Sequence, residues 1–341
     1  NVVRWEMRTR PFLRTTEFLW QEGLTVHATA EEAEIEAKKM LDVYVDLAVN
    51  FLAIPVIPGQ KTKAERFPGA VNTYTIESMM QDKKALQSGT SHFLGQNFAK
   101  SCNIQYQDIN GTLQHAWTTS WGLSTRMIGG LIMVHSDDDG LVLPPKIAPS
   151  QVVILPILHS EETKAKVLRY AESIEQELKK QGVKVILDKR DLRGGEKSWS
   201  WIKKGIPVRI EIGGREAEAG NVSLFRRDRP HKEALVLTSR ELGAKIPAIL
   251  QDIQDSLLKK ATDFRNQNTA EIKNRKEFNE FFTDGGFALS YYFEDAKIEE
   301  QLKEELNVTV RCLPLEFQEE TGKCIFTGRD GAKKAIFAKA Y

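Results

Sequence analysis

The chain has 341 residues with 41% apolar content, enough for two or three globular domains with real cores. Its 48 Lys plus Arg against 47 Asp plus Glu leave a net charge of +1, so any RNA contact must come from a local patch rather than a basic body. Three cysteines are too few for a secreted disulfide framework, and no apolar run reaches the roughly 18 residues of a membrane span. A reducing, cytoplasmic setting away from membranes is the expectation.

Residues 1–22 read as two strands joined by a turn at Thr9 to Leu13 that contains Pro11. Side chains two apart on a strand share a face, so Arg4 and Glu6 point together, as do Arg14, Thr16, Phe18, Trp20 and Glu22. Such a face offers guanidinium forks for phosphate, a ring to stack on a base and carboxylates that accept from an exocyclic amine. By itself an R-x-E strand is more often a surface ion pair.

From Ala28 the pattern turns helical. Thr29 and Glu32 form a capping box, and Ala33, Ala37, Met40, Tyr44, Leu47 and Phe51 recur as a core-facing stripe. Pro55 and Pro58-Gly59 are expected to end it, and residues 60–69 read as a mobile polar loop reaching toward a pocket. Val71 to Met80, Thr90 to Lys100 and Leu113 to Trp121 read as strands of one antiparallel sheet, with Thr90 and His92 on a common face. A helix then starts with Arg126 in its first turn, where an arginine and a helix N-terminus together suit a terminal phosphate. Gly129 and Gly130 each cost about 1 kcal/mol of helix propensity, which implies close packing against the sheet. Asp137 to Gly140 reads as a solvated turn, and His115, His135, His159 and His231 as structural.

Leu143 to Pro149 is a proline-rich junction and the expected first domain boundary. Strands at Val152 to Ile157 and Val183 to Leu187 flank a helix over 161–181, and Val208 to Ile212 and Leu235 to Leu237 follow as strands, which suggests a compact mixed α/β domain. Residues 239–280 are charged and mostly helical, and Val308 to Leu313 and Lys334 to Ala338 read as final strands.

These motifs carry a family resemblance. Arg4-x-Glu6, a loop, then Phe12-Leu-Arg-Thr-x-Glu-Phe-Leu-Trp-Gln-Glu-Gly23 resembles the second signature motif of class II aminoacyl-tRNA synthetases, in the form carried by prolyl-tRNA synthetases. Gln87-Ser-Gly-Thr-Ser-His-Phe-Leu-Gly-Gln-Asn-Phe98 resembles that family's proline-pocket strand, and Ser120-Trp-Gly-Leu-Ser-Thr-Arg126 its third motif. The stretch Trp201 to Arg215 resembles its anticodon-binding domain, and Phe337-Ala-Lys-Ala-Tyr341 its usual ending.

The resemblance implies an α+β and α/β fold: a class II antiparallel-sheet catalytic domain over 1–148, a mixed α/β anticodon-binding domain over 149–255 and a small α/β C-terminal domain over 256–341. It implies activation of L-proline by ATP with Mg²⁺, transfer to tRNA(Pro), and a homodimer. The implied catalytic residues are Arg4 and Arg126. ATP would also meet Glu6, Arg14, Thr15, Phe18, Gln87 and Thr90; proline would meet Trp20, Glu22, Phe67, His92, Gly122 and Ser124. Arg209, Arg215, Glu216 and Lys232 would meet the anticodon. Relatives commonly have Glu where this chain has Ile202 and His where it has Leu24, which implies one altered base contact and a more apolar pocket edge. Many hold zinc with two cysteine pairs; here only Cys312 and Cys324 remain, with Phe281 to Phe287 in place of the earlier pair, so no zinc is expected.

Arg4 and Arg126 lie 122 positions apart, an interval filled by predicted sheet and helices. The inserted editing domain of bacterial-type enzymes is therefore not expected, and the chain looks eukaryote- and archaea-like. It opens at Asn1 in mid-strand, whereas the family's first motif and a Thr-x-Glu loop lie upstream. The chain thus reads as the C-terminal portion of a longer enzyme with an incomplete active site. A non-catalytic tRNA-binding or regulatory relative is the alternative, against which intact Arg4, Glu6, Phe18 and Arg126 speak. Threonyl-tRNA synthetase is a further rival, whose Cys/His zinc set is not found here.

Overall fold

The computed structural model describes residues 1–158 and 161–341, so His159 lies outside the described residues. The first strands are shorter than simple alternation implies. β1 (Val2–Val3) pairs antiparallel with β2 (Glu17–Phe18), and the turn between them closes where Arg10 and Arg14 exchange main-chain bonds of 2.7 and 3.0 Å. β3 (Trp20–His27) is a separate strand, because the chain breaks at Leu19. Next, α1 (Ala30–Asp46) starts at the expected box: the Glu32 N–H donates to Thr29 Oγ1 at 3.2 Å, and the Thr29 N–H to Glu32 at 3.3 Å. Its buried stripe is Ala33, Ala37, Leu41 and Tyr44, continued by Ala48 in a π turn over Leu47–Phe51. Met40, Leu47 and Phe51 are thus corrected to Leu41 and Ala48, and the helical run ends at Phe51, ahead of Pro55. Alanines on this face let α1 approach the strands closely enough for the Ser91 hydroxyl to donate to the Ala37 carbonyl at 2.6 Å.

β4 (Val56–Gln60), β5 (Asn72–Met79), β6 (Ala85–Gly95), α2 (Asn97–Ser101), β7 (Gln105–Gln107), β8 (Leu113–His115), β9 (Trp117–Ser124) and α3 (Arg126–His135) follow. The strand expected from Thr90 to Lys100 begins earlier and stops at Gly95. That residue has φ 61°, and a Cβ there would lie 2.7 Å from Val71. Leu113 to Trp121 is likewise divided, since β8 pairs only with β7 in a side ribbon while β9 joins the main sheet. Cβ atoms at Gly129 and Gly130 would meet Leu13 at 2.9 Å and Leu86 at 3.0 Å, so α3 packs closely on both the first turn and β6.

β10 (Val152–Pro156), α4 (Glu161–Lys180), β11 (Val185–Leu187), α5 (Gly194–Lys203), β12 (Val208–Ile212), α6 (Gly214–Ala219), β13 (Asn221–Arg226), β14 (Ala234–Thr238) and α7 (Ser239–Gln267) come next. Their sheet runs β11-β10-β12-β13-β14, parallel over the first three strands and antiparallel over the rest. Val167, Ala171, Ile174 and Leu178 of α4 and Leu242, Ile246, Leu250 and Ile253 of α7 bury against it, each stripe at helical spacing. The Asp137 turn is more than solvated: its carboxylate pairs with Arg227, and Asp139 lies 2.7 Å from His231 Nε2. The proline-rich junction is partly buried, and the compact units part at Val134/His135.

The chain ends with β15 (Thr269–Glu271), α8 (Arg275–Phe281), β16 (Phe287–Tyr292), α9 (Ala296–Leu306), β17 (Thr309–Pro314) and β18 (Lys333–Ala338). These strands complete a nine-stranded sheet in the order β15-β16-β18-β17-β4-β5-β6-β9-β3. Two compact units result: residues 1–50, 54–134 and 262–341, and residues 51–53 with 135–261. The segment expected as a separate C-terminal domain thus shares a unit and a sheet with the first 134 residues, joined where Leu313 pairs with Gln60 and Pro314 with Gly59.

Candidate active site

A cleft of about 360 Å³ opens on the first unit, over β3, β5, β6 and β9 and beneath the first turn. Sheet register brings its residues together: Trp20 lies opposite Ser124, Glu22 opposite Gly122, Gly122 opposite Thr90, and His92 opposite Thr73. One end is cationic. The Arg4 guanidinium lies 5.1 Å from the centre of the Phe18 ring. Arg126 is held by the carbonyls of Leu13 at 3.1 Å and Gln87 at 3.4 Å. Burial, then the charges of Arg4 and Arg14, push the Arg126 pKa down, so this end carries positive potential in search of an anion.

The other end is aromatic. The Phe67 ring sits 4.8 Å from His92, whose Nδ1 shares a 3.0 Å hydrogen bond with Thr73 Oγ1. Thr73 Oγ1 also accepts the Phe67 N–H at 3.1 Å. Burial pushes the His92 pKa down to about 4, so the ring is neutral across the physiological range. Gly23 is fixed by this wall, since a Cβ there would lie 2.1 Å from the Trp121 indole.

Arg4, Thr15, Phe18, Trp20, Glu22, Phe67, Gln87, Thr90, His92, Gly122, Ser124 and Arg126 all line the cleft. Glu6 and Arg14 do not; they pair with each other at 3.7 Å. Thr15 faces inward where alternation favours Thr16, because the strand is interrupted. Leu24 is 69% exposed and outside the lining, so it does not make the pocket edge apolar. Lys61, Glu65, Arg66, Thr73 and Trp121 also line the site and escaped the sequence reading. Thr73 was within reach of it, standing opposite His92. The loop that carries Phe67 is not free at its start, since Lys61 and Thr62 are 2% and 1% exposed.

Known proteins bear directly on this geometry. A sequence profile described as "Anticodon binding domain" matches residues 151–246, and one described as "Prolyl-tRNA synthetase, C-terminal" matches residues 275–341. A solved prolyl-tRNA synthetase from Cryptosporidium parvum, complexed with L-proline and AMP, superposes with a TM-score of 0.93 at 36% identity, covering 100% of this chain and 73% of that one. The same enzyme with halofuginone and AMPPNP also gives 0.93. Proline--tRNA ligase 2 of Anaeromyxobacter dehalogenans is 53% identical over 100% of this chain and 70% of its own length, and the proline--tRNA ligase of Bdellovibrio bacteriovorus is 52% identical over the same shares. The chain belongs to the proline–tRNA ligases.

As a member of this family it is a ligase, with the mixed α+β and α/β architecture of that group. Among the described residues no helix is long and apolar enough to cross a membrane. In the second unit the four residues expected at the ligase's anticodon site differ in character. Arg215 and Lys232 are exposed. Arg209 is 6% exposed; it pairs with Glu211 at 2.9 Å and lies 4.6 Å from the centre of the Phe225 ring. Glu216 caps α6, accepting the Gly213 N–H at 3.0 Å. Ile202 is buried. Cys312 and Cys324 fall in separate apolar clusters, so they are not two survivors of one ligand pair.

Proposed function

We propose that the cleft activates L-proline: a proline carboxylate oxygen attacks the ATP α-phosphorus in line, forming prolyl-adenylate and releasing pyrophosphate, before the prolyl group passes to tRNA(Pro). The supporting observation is that one cleft holds Arg4 and Arg126 at one end and Phe67 against His92 at the other. Arg4 would hold the α-phosphate and Arg126 the outer phosphates, with Arg14 joining them once ATP draws it from its pair with Glu6. Phe18, with Glu6 so released, would receive the adenine, Thr15 would face the nucleotide, and Gln87 and Thr90 would meet the ribose side. Trp20, Glu22, Phe67, His92, Gly122 and Ser124 would enclose proline. Such chemistry is driven by positioning and charge stabilisation.

Mg²⁺ would arrive with ATP and neutralise phosphate charge. A hard ion of this kind keeps several waters and takes few protein carboxylates, which fits a cleft whose lining carboxylates are Glu22 and Glu65. Arg215 and Lys232 are the exposed candidates for anticodon contact, with Arg209 and Glu216 shaping the surface beneath. The functional division proposed is catalytic over 1–148, anticodon-binding over 149–255 and C-terminal over 256–341, distinct from the packing units that part at 134/135 and 261/262, in a cytoplasmic homodimer.

The test is proline-dependent ATP–pyrophosphate exchange. Arg4→Ala and Arg126→Ala should each lose on the order of 3 kcal/mol of transition-state stabilisation, more than a hundredfold in rate, while tRNA binding stays nearly intact. Exchange within about threefold of wild type for either variant would remove that arginine from the mechanism.

A further inference from the structure

The loop of residues 61–71 leaves the sheet at Gln60, and its first three residues are gripped by the distant end of the chain. The Lys61 ammonium donates to the Arg311 carbonyl at 2.7 Å and to Glu77 Oε1 at 2.9 Å. The Arg311 guanidinium closes the triad with two 3.0 Å bonds to Glu77 Oε2. The Thr62 hydroxyl donates to Glu299 at 3.1 Å, and the Lys63 main-chain N–H donates to Glu294 at 2.9 Å. Glu77 is fully buried and Arg311 and Glu299 are 7% and 9% exposed. Charges so enclosed persist only when paired, and directional pairs fix a register that apolar packing leaves free. Six residues beyond Lys61, the same loop lays Phe67 against His92.

We propose that Arg311 and Glu299 are positioning residues for the amino-acid end of the cleft: Arg311, by fixing the Glu77 carboxylate that holds Lys61, and Glu299, by holding Thr62, set where Phe67 closes over His92, and so the affinity for proline. This rests on reading that end as the proline site. Neither residue touches the substrate. Their effect is transmitted through the loop stem, so it falls on KM for proline and spares the cationic end where ATP binds.

Arg311→Lys, Glu299→Met and Thr62→Val are to be compared with Phe67→Ala in the full-length protein, by pyrophosphate exchange at varied proline and varied ATP. Arg311→Lys and Glu299→Met should raise KM for proline about tenfold and Thr62→Val about threefold, with KM for ATP within about twofold. In a Phe67→Ala background each should add less than about twofold, since all act through one contact. Lowered melting temperature with both KM values unchanged, or both raised alike, would mark the clamp as merely structural and overturn the proposal. If Arg311→Lys does not fold, Glu299→Met and Thr62→Val decide the matter by the same criteria. Wild type without proline-dependent exchange, or Phe67→Ala with unchanged KM for proline, would instead overturn the proline reading of the site and this proposal with it.

Discussion

His92 shows how enclosure sets chemistry at a single residue. Its ordinary pKa of 6.5 falls to about 4 through burial, so the unfolded chain binds the proton more readily than the folded one. The sign follows directly: the contribution of a neutral His92 to stability is full above about pH 6.5 and is lost as pH falls toward 4. The ring resonance of His92 should therefore titrate near pH 4, and KM for proline should show no step between about pH 5.5 and 8. A step near pH 6.5 would mean that the ring is open to water. Arg209 makes the opposite point. In sequence it looks like a free cation in a basic motif, yet Glu211 and the Phe225 ring consume its guanidinium.

Among the elements, the first turn depends most on remote support. The Tyr341 ring lies 5.6 Å from the Arg10 guanidinium and 5.2 Å from the Lys84 ammonium, its hydroxyl donates to Asp82, and its main-chain N–H bonds the Ala85 carbonyl at 3.3 Å. The phenol and the main chain of Tyr341 together hold this segment in place. Removing residues 339–341 should free Arg10 and loosen the turn that delivers Leu13 to Arg126, lowering exchange activity about tenfold or more. Full activity after that deletion would show the anchor to be dispensable. Elements with local signals were legible: the capping box of α1, the glycine pair of α3 and the strand–helix–strand order after Val152 all follow from neighbours in sequence. The stripe of α1 takes Leu41 rather than Met40 because both neighbours satisfy helical spacing after Ala37, and only its end, at Ala48, falls in the π turn; β16 was hidden in a phenylalanine- and glycine-rich stretch. Lys61, Glu77 and Arg311 could not be found in sequence, since charged residues normally face water and their partners lie up to 250 positions away.

At the scale of the whole molecule, two units imply two separable readouts. Arg215→Ala should weaken aminoacylation by about 1–3 kcal/mol, the worth of a base contact, while proline-dependent exchange is unchanged. Arg209→Ala should lower the melting temperature as well, because it leaves Glu211 with the Ser198 hydroxyl but no paired cation. Equal loss of exchange and aminoacylation in Arg215→Ala would deny the second unit its supposed task. The nine-stranded sheet carries one further consequence, for synthesis rather than for chemistry. β4 must wait for β17, and at about 5–20 residues per second the 250 positions that separate Lys61 from Arg311 take on the order of tens of seconds to emerge from a ribosome. Residues 135–261 are complete before that and can fold while the first 134 residues still expose unpaired strand edges. The nascent chain therefore passes through a long interval in which residues 135–261 are free to fold while the edge of β4, still without β17, is an open template for aggregation.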